Sequence, residues 1–234
     1  MTAKKRLIVA LDYTRMAPAL AMAKRLQGLV STVKVGSVLF TAYGPSVIRR
    51  LKAMRFDIML DLKFFDIPST VEGSCRAATG LGVALLTVHA SGEPSMLEAA
   101  VHGCRRQARR LGKKAPKVLG VTVLTSVGSL SSKQATAQVL HLAARAYQAG
   151  CDGVVASAHE AAAIKKRFAR LKVVCPGIRP LSTESGDQKR IATPAQALDN
   201  GADWLVIGRP VTEAGNPRLT VRQIIHEMEE SKGC

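Results

Sequence analysis

The sequence predicts an α/β fold, a (β/α)8 TIM barrel, and three observations carry that expectation. Eight short apolar runs recur along the 234 residues, a segment with helical spacing follows each run, and no Gly-x-Gly-x-x-Gly follows the first of them. Strict strand–helix alternation repeated eight times selects a closed barrel over an open sheet. A six-stranded doubly wound sheet is the competing arrangement, and the missing glycine fingerprint counts against it.

The apolar runs lie at 7–12 (LIVALD), 33–36 (VKVG), 57–63 (DIMLDLK), 85–90 (LLTVHA), 117–125 (KVLGVTVLT), 153–158 (GVVASA), 172–178 (KVVCPGI) and 204–209 (WLVIGR). Continuous apolar runs of this length are the mark of strands buried on both faces. Helical spacing covers 15–28, 45–54, 69–80, 94–112, 132–150, 160–169, 193–201 and 219–230. Ser132 and Thr193 read as N-caps, with Pro194 at the first helical position, and Gly80, Gly112, Gly150 and Gly201 as C-terminal stops. No low-complexity linker or composition break divides the chain, so 1–234 reads as one domain. The least regular stretch is 179–192 (RPLSTESGDQKRIA), a connection long enough to be a functional loop.

Lys and Arg number 34 against 17 Asp and Glu, a net charge of +17. That excess suits an anionic partner and does not choose among nucleic acid, an acidic membrane surface and a phosphorylated substrate. Aromatic residues make up only 4%, which argues against a stacking platform for single strands. A basic run holds Arg105, Arg106, Arg109, Arg110, Lys113, Lys114 and Lys117. It falls in the fourth long helical segment and the connection after it, away from the barrel mouth, and reads as a solvated surface. Nucleic acid is therefore not an expected partner. Cys75, Cys104, Cys151, Cys175 and Cys234 lack C-x-x-C spacing and read as reduced thiols, mostly buried. No apolar run reaches signal-peptide or membrane-span length, and the expected location is cytoplasmic.

In a barrel the chemistry sits at the C-terminal ends of the strands. The polar residues there are Asp12, Lys34, Asp61 with Lys63, His89, Thr125, Ser157, Arg179 and Arg209. Asp61 and Lys63 are two apart on an extended segment and so face one side. With Lys34 from the adjacent strand and Asp66 three residues on, they would make an alternating charge array whose members stabilise one another despite partial desolvation. D-x-K-x-x-D is a weak signal on its own, and an ion-pair network that merely fills a polar mouth has the same spacing. A second group comprises Gly208 and Arg209 after the eighth run, with Arg179, Gln188 and Arg190 after the seventh. Loops at these two positions of a barrel commonly grip phosphate, and backbone amides with a guanidinium fork suit its oxygens. His89 reads as a hydrogen-bonded core histidine rather than a base.

These residues resemble the bacterial type of the orotidine 5′-phosphate decarboxylase family. The matching segments are VALD around Asp12, VKVGSVLF around Lys34, DLKFFDIPSTV from Asp61 to Val71, TVHA, VTVLTS around Thr125, PGIRP around Arg179, GDQKR around Gln188 and IGRP around Arg209. They span nearly the whole chain in the family's order. The resemblance implies a homodimer that converts orotidine 5′-monophosphate to UMP and carbon dioxide with no metal and no cofactor. It implies that Lys63 protonates C6, that Lys34, Asp61 and Asp66 complete its charge network, and that Asp66, Ile67 and Thr70 reach the partner's site. It further assigns Asp12 and Lys34 to the ribose, Thr125 to the pyrimidine, and Arg179, Gln188, Gly208 and Arg209 to the phosphate. Related magnesium-dependent barrels, such as 3-keto-gulonate-6-phosphate decarboxylase and hexulose-phosphate synthase, share D-x-K-x-x-D. They carry a carboxylate where this chain has Lys34, and a cation there disfavours metal coordination.

Overall fold

Eight parallel strands follow one another around a closed barrel in chain order. They are β1 (Leu7–Ala10), β2 (Thr32–Gly36), β3 (Asp57–Phe64), β4 (Leu85–His89), β5 (Lys117–Val121), β6 (Gly153–Val155), β7 (Lys172–Cys175) and β8 (Trp204–Ile207). The ring closes where Leu7, Ile8 and Val9 of β1 pair with Leu205, Val206 and Ile207 of β8. The computed structural model describes residues 2–124, 131–180 and 192–231.

The apolar runs are continuous because each strand is covered on both sides. In β1, Leu7 and Val9 pack outward under the helices, whereas Ile8 and Ala10 point into the barrel with Met59, Leu85, Leu119, Val174, Trp204 and Val206. Trp204 opens β8 and fills the base, whereas the small Ala10 closes β1 and leaves room at the mouth.

Among the described residues, seven of the longer helices return the chain from strand to strand and an eighth follows β8. They are α2 (Met16–Leu26), α4 (Pro45–Ala53), α5 (Pro68–Gly80), α6 (Pro94–Arg110), α7 (Ser132–Gln148), α8 (Ala158–Arg167), α9 (Pro194–Asp199) and α11 (Pro217–Glu229). Sequence spacing missed three short additions, α1 (Ala3–Arg6), α3 (Ser37–Tyr43) and α10 (Arg209–Thr212). α1 directly precedes β1, α3 directly follows β2 and α10 follows β8 after Gly208; at four to seven residues each is too short to show a helical period.

One cap expectation is corrected. The N-cap of α7 is Ser131, not Ser132: its hydroxyl accepts from the Gln134 N–H, and the Gln134 side chain accepts from the Ser131 N–H. A Gln three residues after Ser131 was the discriminating signal, since Ser132 has Ala135 at that spacing. Thr193 caps α9 through the same box with Gln196, and Pro194 opens that helix as expected. Gly112, Gly150 and Gly201 turn with φ of 60°, 78° and 93°, whereas Gly80 stays helical and the turn falls at Gly82, φ 71°.

Helices antiparallel to the strands place their last turns at the base, and the basic residues gather there. Lys24 and Arg25, Arg50 and Lys52, Arg109 and Arg110, and Lys165 to Arg167 all occupy last turns. Cations there oppose the negative end of the helix dipole. Cys75, Cys104, Cys151 and Cys175 are buried and free, and burial pushes the Cys151 and Cys175 thiols to about 12. Cys234 lies outside the described residues. Among the described residues no helix is long and apolar enough to cross a membrane.

Candidate active site

The first three strands deliver charged side chains to the mouth in a row. β1 and β2 pair Ala10 with Lys34, and β2 and β3 pair Gly36 with Asp61. Lys34 Nζ stands 2.9 Å from Asp12 Oδ1 and 3.4 Å from Asp61 Oδ2. Lys63 Nζ lies 3.0 Å from both oxygens of Asp61. The order is therefore Asp12, Lys34, Asp61, Lys63, each cation touching a carboxylate. The Lys34 and Asp61 side chains are only 11% and 12% exposed, so their charges meet in a poorly solvated environment.

Burial pushes the Asp61 carboxyl upward. Lys34 and Lys63, with hydrogen bonds from Lys63 and Thr87, outweigh that effect and hold it below the usual aspartate value. The chain also leaves space for the row. A Cβ on Gly36 would stand 2.9 Å from Asp12 Oδ1 and 3.1 Å from Lys34 Nζ. His89 departs from the expected hydrogen-bonded core histidine. It is half-buried, and its ring meets Phe65 edge-on at 5.8 Å. Burial, then Lys63 nearby, lowers its pKa.

The two-residue spacing of Asp61 and Lys63 does bring both to one side, but by a different route from a regular strand. Lys63 has φ 50°, and the β3–β4 register shifts between Leu60 and Phe64. Asp66 does not join the row within one chain. β3 ends at Phe64, and the exposed Asp66 accepts the Ile67 N–H at 2.7 Å just before α5. Among the described residues it has no ion pair to Lys34 or Lys63 within 4 Å. Ile67 and Thr70 are exposed beside it.

The second cluster opens onto the same space. A cavity of about 700 Å³ is lined by Asp12, Lys34, Asp61 and Lys63 on one side and by Arg179, Gly208 and Arg209 on another. That volume suits a small organic ligand. Its apolar lining includes Met59, Val121, Val155 and Val206. Arg179 is buried, its backbone N–H donating to the Ala192 carbonyl at 3.0 Å, while exposed Arg209 begins α10 directly after Gly208. Thr125, Gln188 and Arg190 lie outside the described residues. Ser157 caps α8, its hydroxyl accepting the His159 N–H. Sequence reasoning passed over Gly36 and Thr87, both inside quoted motifs, because neither residue type advertises chemistry.

Residues 5–224 match the family described as Orotidine 5′-phosphate decarboxylase / HUMPS. The chain belongs to this family. Within it, the chain is 45% identical over 228 residues to an orotidine 5′-phosphate decarboxylase of Vibrio cholerae, covering 94% of this chain and 96% of that one. It is 43% identical to that of Pseudoalteromonas translucida, covering 96% and 97%. A crystal structure of orotidine 5′-phosphate decarboxylase from Lactobacillus acidophilus superposes with a TM-score of 0.83 at 33% identity, covering 96% of this chain and 99% of that one.

Proposed function

We propose that this chain, acting as one barrel domain, decarboxylates orotidine 5′-monophosphate to UMP and carbon dioxide, the last step of de novo pyrimidine nucleotide synthesis. The observation that carries the reading is the alternating row Asp12–Lys34–Asp61–Lys63, which shares a cavity with Arg179, Gly208 and Arg209. A substrate with a ring carboxylate at one end and a phosphate at the other matches a site with cations at both ends.

When the bond from C6 to the carboxylate breaks, the electron pair stays on C6 in the ring plane, where the ring cannot delocalise it. The Lys63 ammonium stabilises that charge and then gives its proton to C6; solvent restores the lysine. Asp61 holds Lys63 in place by accepting at both oxygens, and its charge lies on the side of the scissile carboxylate. Asp12 and Lys34 take the ribose, Thr125 the pyrimidine, and Arg179, Gln188, Gly208 and Arg209 the phosphate. Binding energy from the distant phosphate organises the reacting end. No metal or cofactor enters these steps.

The reading extends to a cytoplasmic homodimer with shared sites, in which Asp66, Ile67 and Thr70 meet the partner's cavity. Its support is the position of Asp66, outside its own row yet immediately after β3, beside Phe65 and Ile67 at 60% and 64% exposure.

The test is a decarboxylation assay with orotidine 5′-monophosphate, followed by loss of pyrimidine absorbance and run with and without excess EDTA. Turnover that survives chelation is expected. Absence of turnover overturns the substrate assignment, and loss with EDTA alone points instead to the magnesium-dependent branch of the family.

A further inference from the structure

Strands β3 and β4 do not run evenly beside one another. Leu60 pairs with Leu86 and Phe64 with Val88, so Asp61, Leu62 and Lys63 together stand opposite the single residue Thr87. Surplus residues on one strand form a bulge, which leaves backbone groups out of the ladder and re-aims side chains. The surplus is taken up at Lys63, whose φ of 50° is a left-handed conformation that a non-glycine residue holds only when its surroundings impose it.

Thr87 supplies that constraint. Its side chain is fully buried, and its hydroxyl oxygen accepts the Lys63 backbone N–H at 2.9 Å. The same hydroxyl lies 2.9 Å from Asp61 Oδ1. The direction of each bond is settled by chemistry. The backbone N–H can only donate and an ionised carboxylate can only accept, so the single hydroxyl proton points at Asp61.

We propose that Thr87 is a positioning residue for the Lys63–Asp61 pair: one hydroxyl ties the backbone from which Lys63 departs to the carboxylate on which its ammonium rests. It fixes the ammonium's distance from the reacting carbon without touching substrate. Asp61 is faced by Lys34 from β2, with Asp12 behind it, by Lys63 from β3, and by Thr87 and His89 from β4. Thr87 is the neutral donor in that set.

The inference rests on the decarboxylase reading for its kinetic test and stands apart from it in a second measurement. Thr87→Val keeps the shape and removes both bonds, and Thr87→Ser keeps the hydroxyl. For Val, kcat with orotidine 5′-monophosphate should fall about ten- to a hundredfold, the worth of a hydrogen bond to a charged group, while UMP affinity changes less than about threefold. Ser should recover most of the rate. Wild-type kcat in Val, equal impairment of Ser and Val, or a rate loss matched by weaker UMP binding would overturn the proposal. If Val does not fold, Ser and Cys replace the comparison, since they differ mainly in hydrogen-bonding strength, and equal rates overturn it. Carboxyl-carbon NMR of Asp61 reads the contact without turnover. Its titration midpoint should rise in Val or Cys and stay near wild type in Ser. If the wild type fails to decarboxylate but the midpoint moves, only the substrate assignment is lost; an unmoved midpoint refutes the role of Thr87.

Discussion

The ammonium of Lys63 lies 3.0 Å from each carboxylate oxygen of Asp61, and Lys34 closes on the same carboxylate from the other side at 3.4 Å. One buried anion thus orders two cations, and only Lys63 is free to turn outward without breaking a second ion pair. Lys63→Ala should lower kcat by about a thousandfold or more, since in the proposed mechanism it removes both the proton donor and the charge that faces the developing anion. Nucleotide binding and the far-ultraviolet circular dichroism spectrum should persist, and near-normal turnover would refute the general-acid role.

Asp61 also sets an acid limit. Its folded pKa lies below that of an unfolded aspartate, so the unfolded chain binds this proton more tightly. The stability it contributes is therefore complete above the unfolded value of about 3.9 and disappears as pH falls through the lower folded value. Melting temperature against pH should show Asp61→Asn less stable than wild type at neutral pH by about 1–3 kcal/mol, with a flatter acid limb. Parallel curves would mean that the carboxylate is not held down in the folded state.

Gly36→Ala tests the fit between backbone and charge row. The added methyl would meet the ends of two flexible side chains, Asp12 and Lys34, rather than backbone. The fold should lose less than about 1 kcal/mol, while the 2.9 Å Asp12–Lys34 contact must open. The ribose contacts proposed for Asp12 and Lys34 should suffer first, seen as a raised KM. Unchanged kinetics would show that the pair has room to adjust.

Arg209→Ala removes a cation from the end of the cavity proposed to take the phosphate. A loss of about ten- to a hundredfold in kcat/KM is expected. If phosphate binding organises the reacting end, part of that loss appears in kcat. A change confined to KM would mean that the contact contributes uniform binding alone.

The basic base should be separable from catalysis. Replacing Arg109, Arg110, Lys113 and Lys114 with Gln removes exposed charge around the end of α6. At about 0.15 M salt these charges are screened from the mouth, so kcat/KM should stay within about twofold. The wild type should show no salt-dependent retention of duplex DNA under those conditions. Clear retention would make the base a nucleic-acid surface.

Strand number, order and most helices were legible because they depend on periodicity: a strand covered on both faces must be apolar throughout, and every returning helix must be amphipathic. The Ser131 cap was missed by one residue, because adjacent serines offer the same side chain and the Gln134 partner decides between them. Asp12, Lys34, Asp61 and Lys63 were legible as strand-end charges in a barrel. Thr87 was not, since a threonine in an apolar run usually serves as a β-branched filler.

Residue order alone was enough for the barrel, the family resemblance and the identity of the charged row, since these reside in spacing and composition. Folding supplied the rest. Closure sets Arg179 and Arg209 on the same cavity as Asp12, Lys34, Asp61 and Lys63, which lie far earlier in the chain. The bulge opposite Thr87 turns a plain two-residue spacing into a left-handed Lys63 over Asp61. Asp66 leaves the row because β3 ends at Phe64. Such contacts depend on register and on which buried donor meets which acceptor, quantities that arise only when distant strands pair.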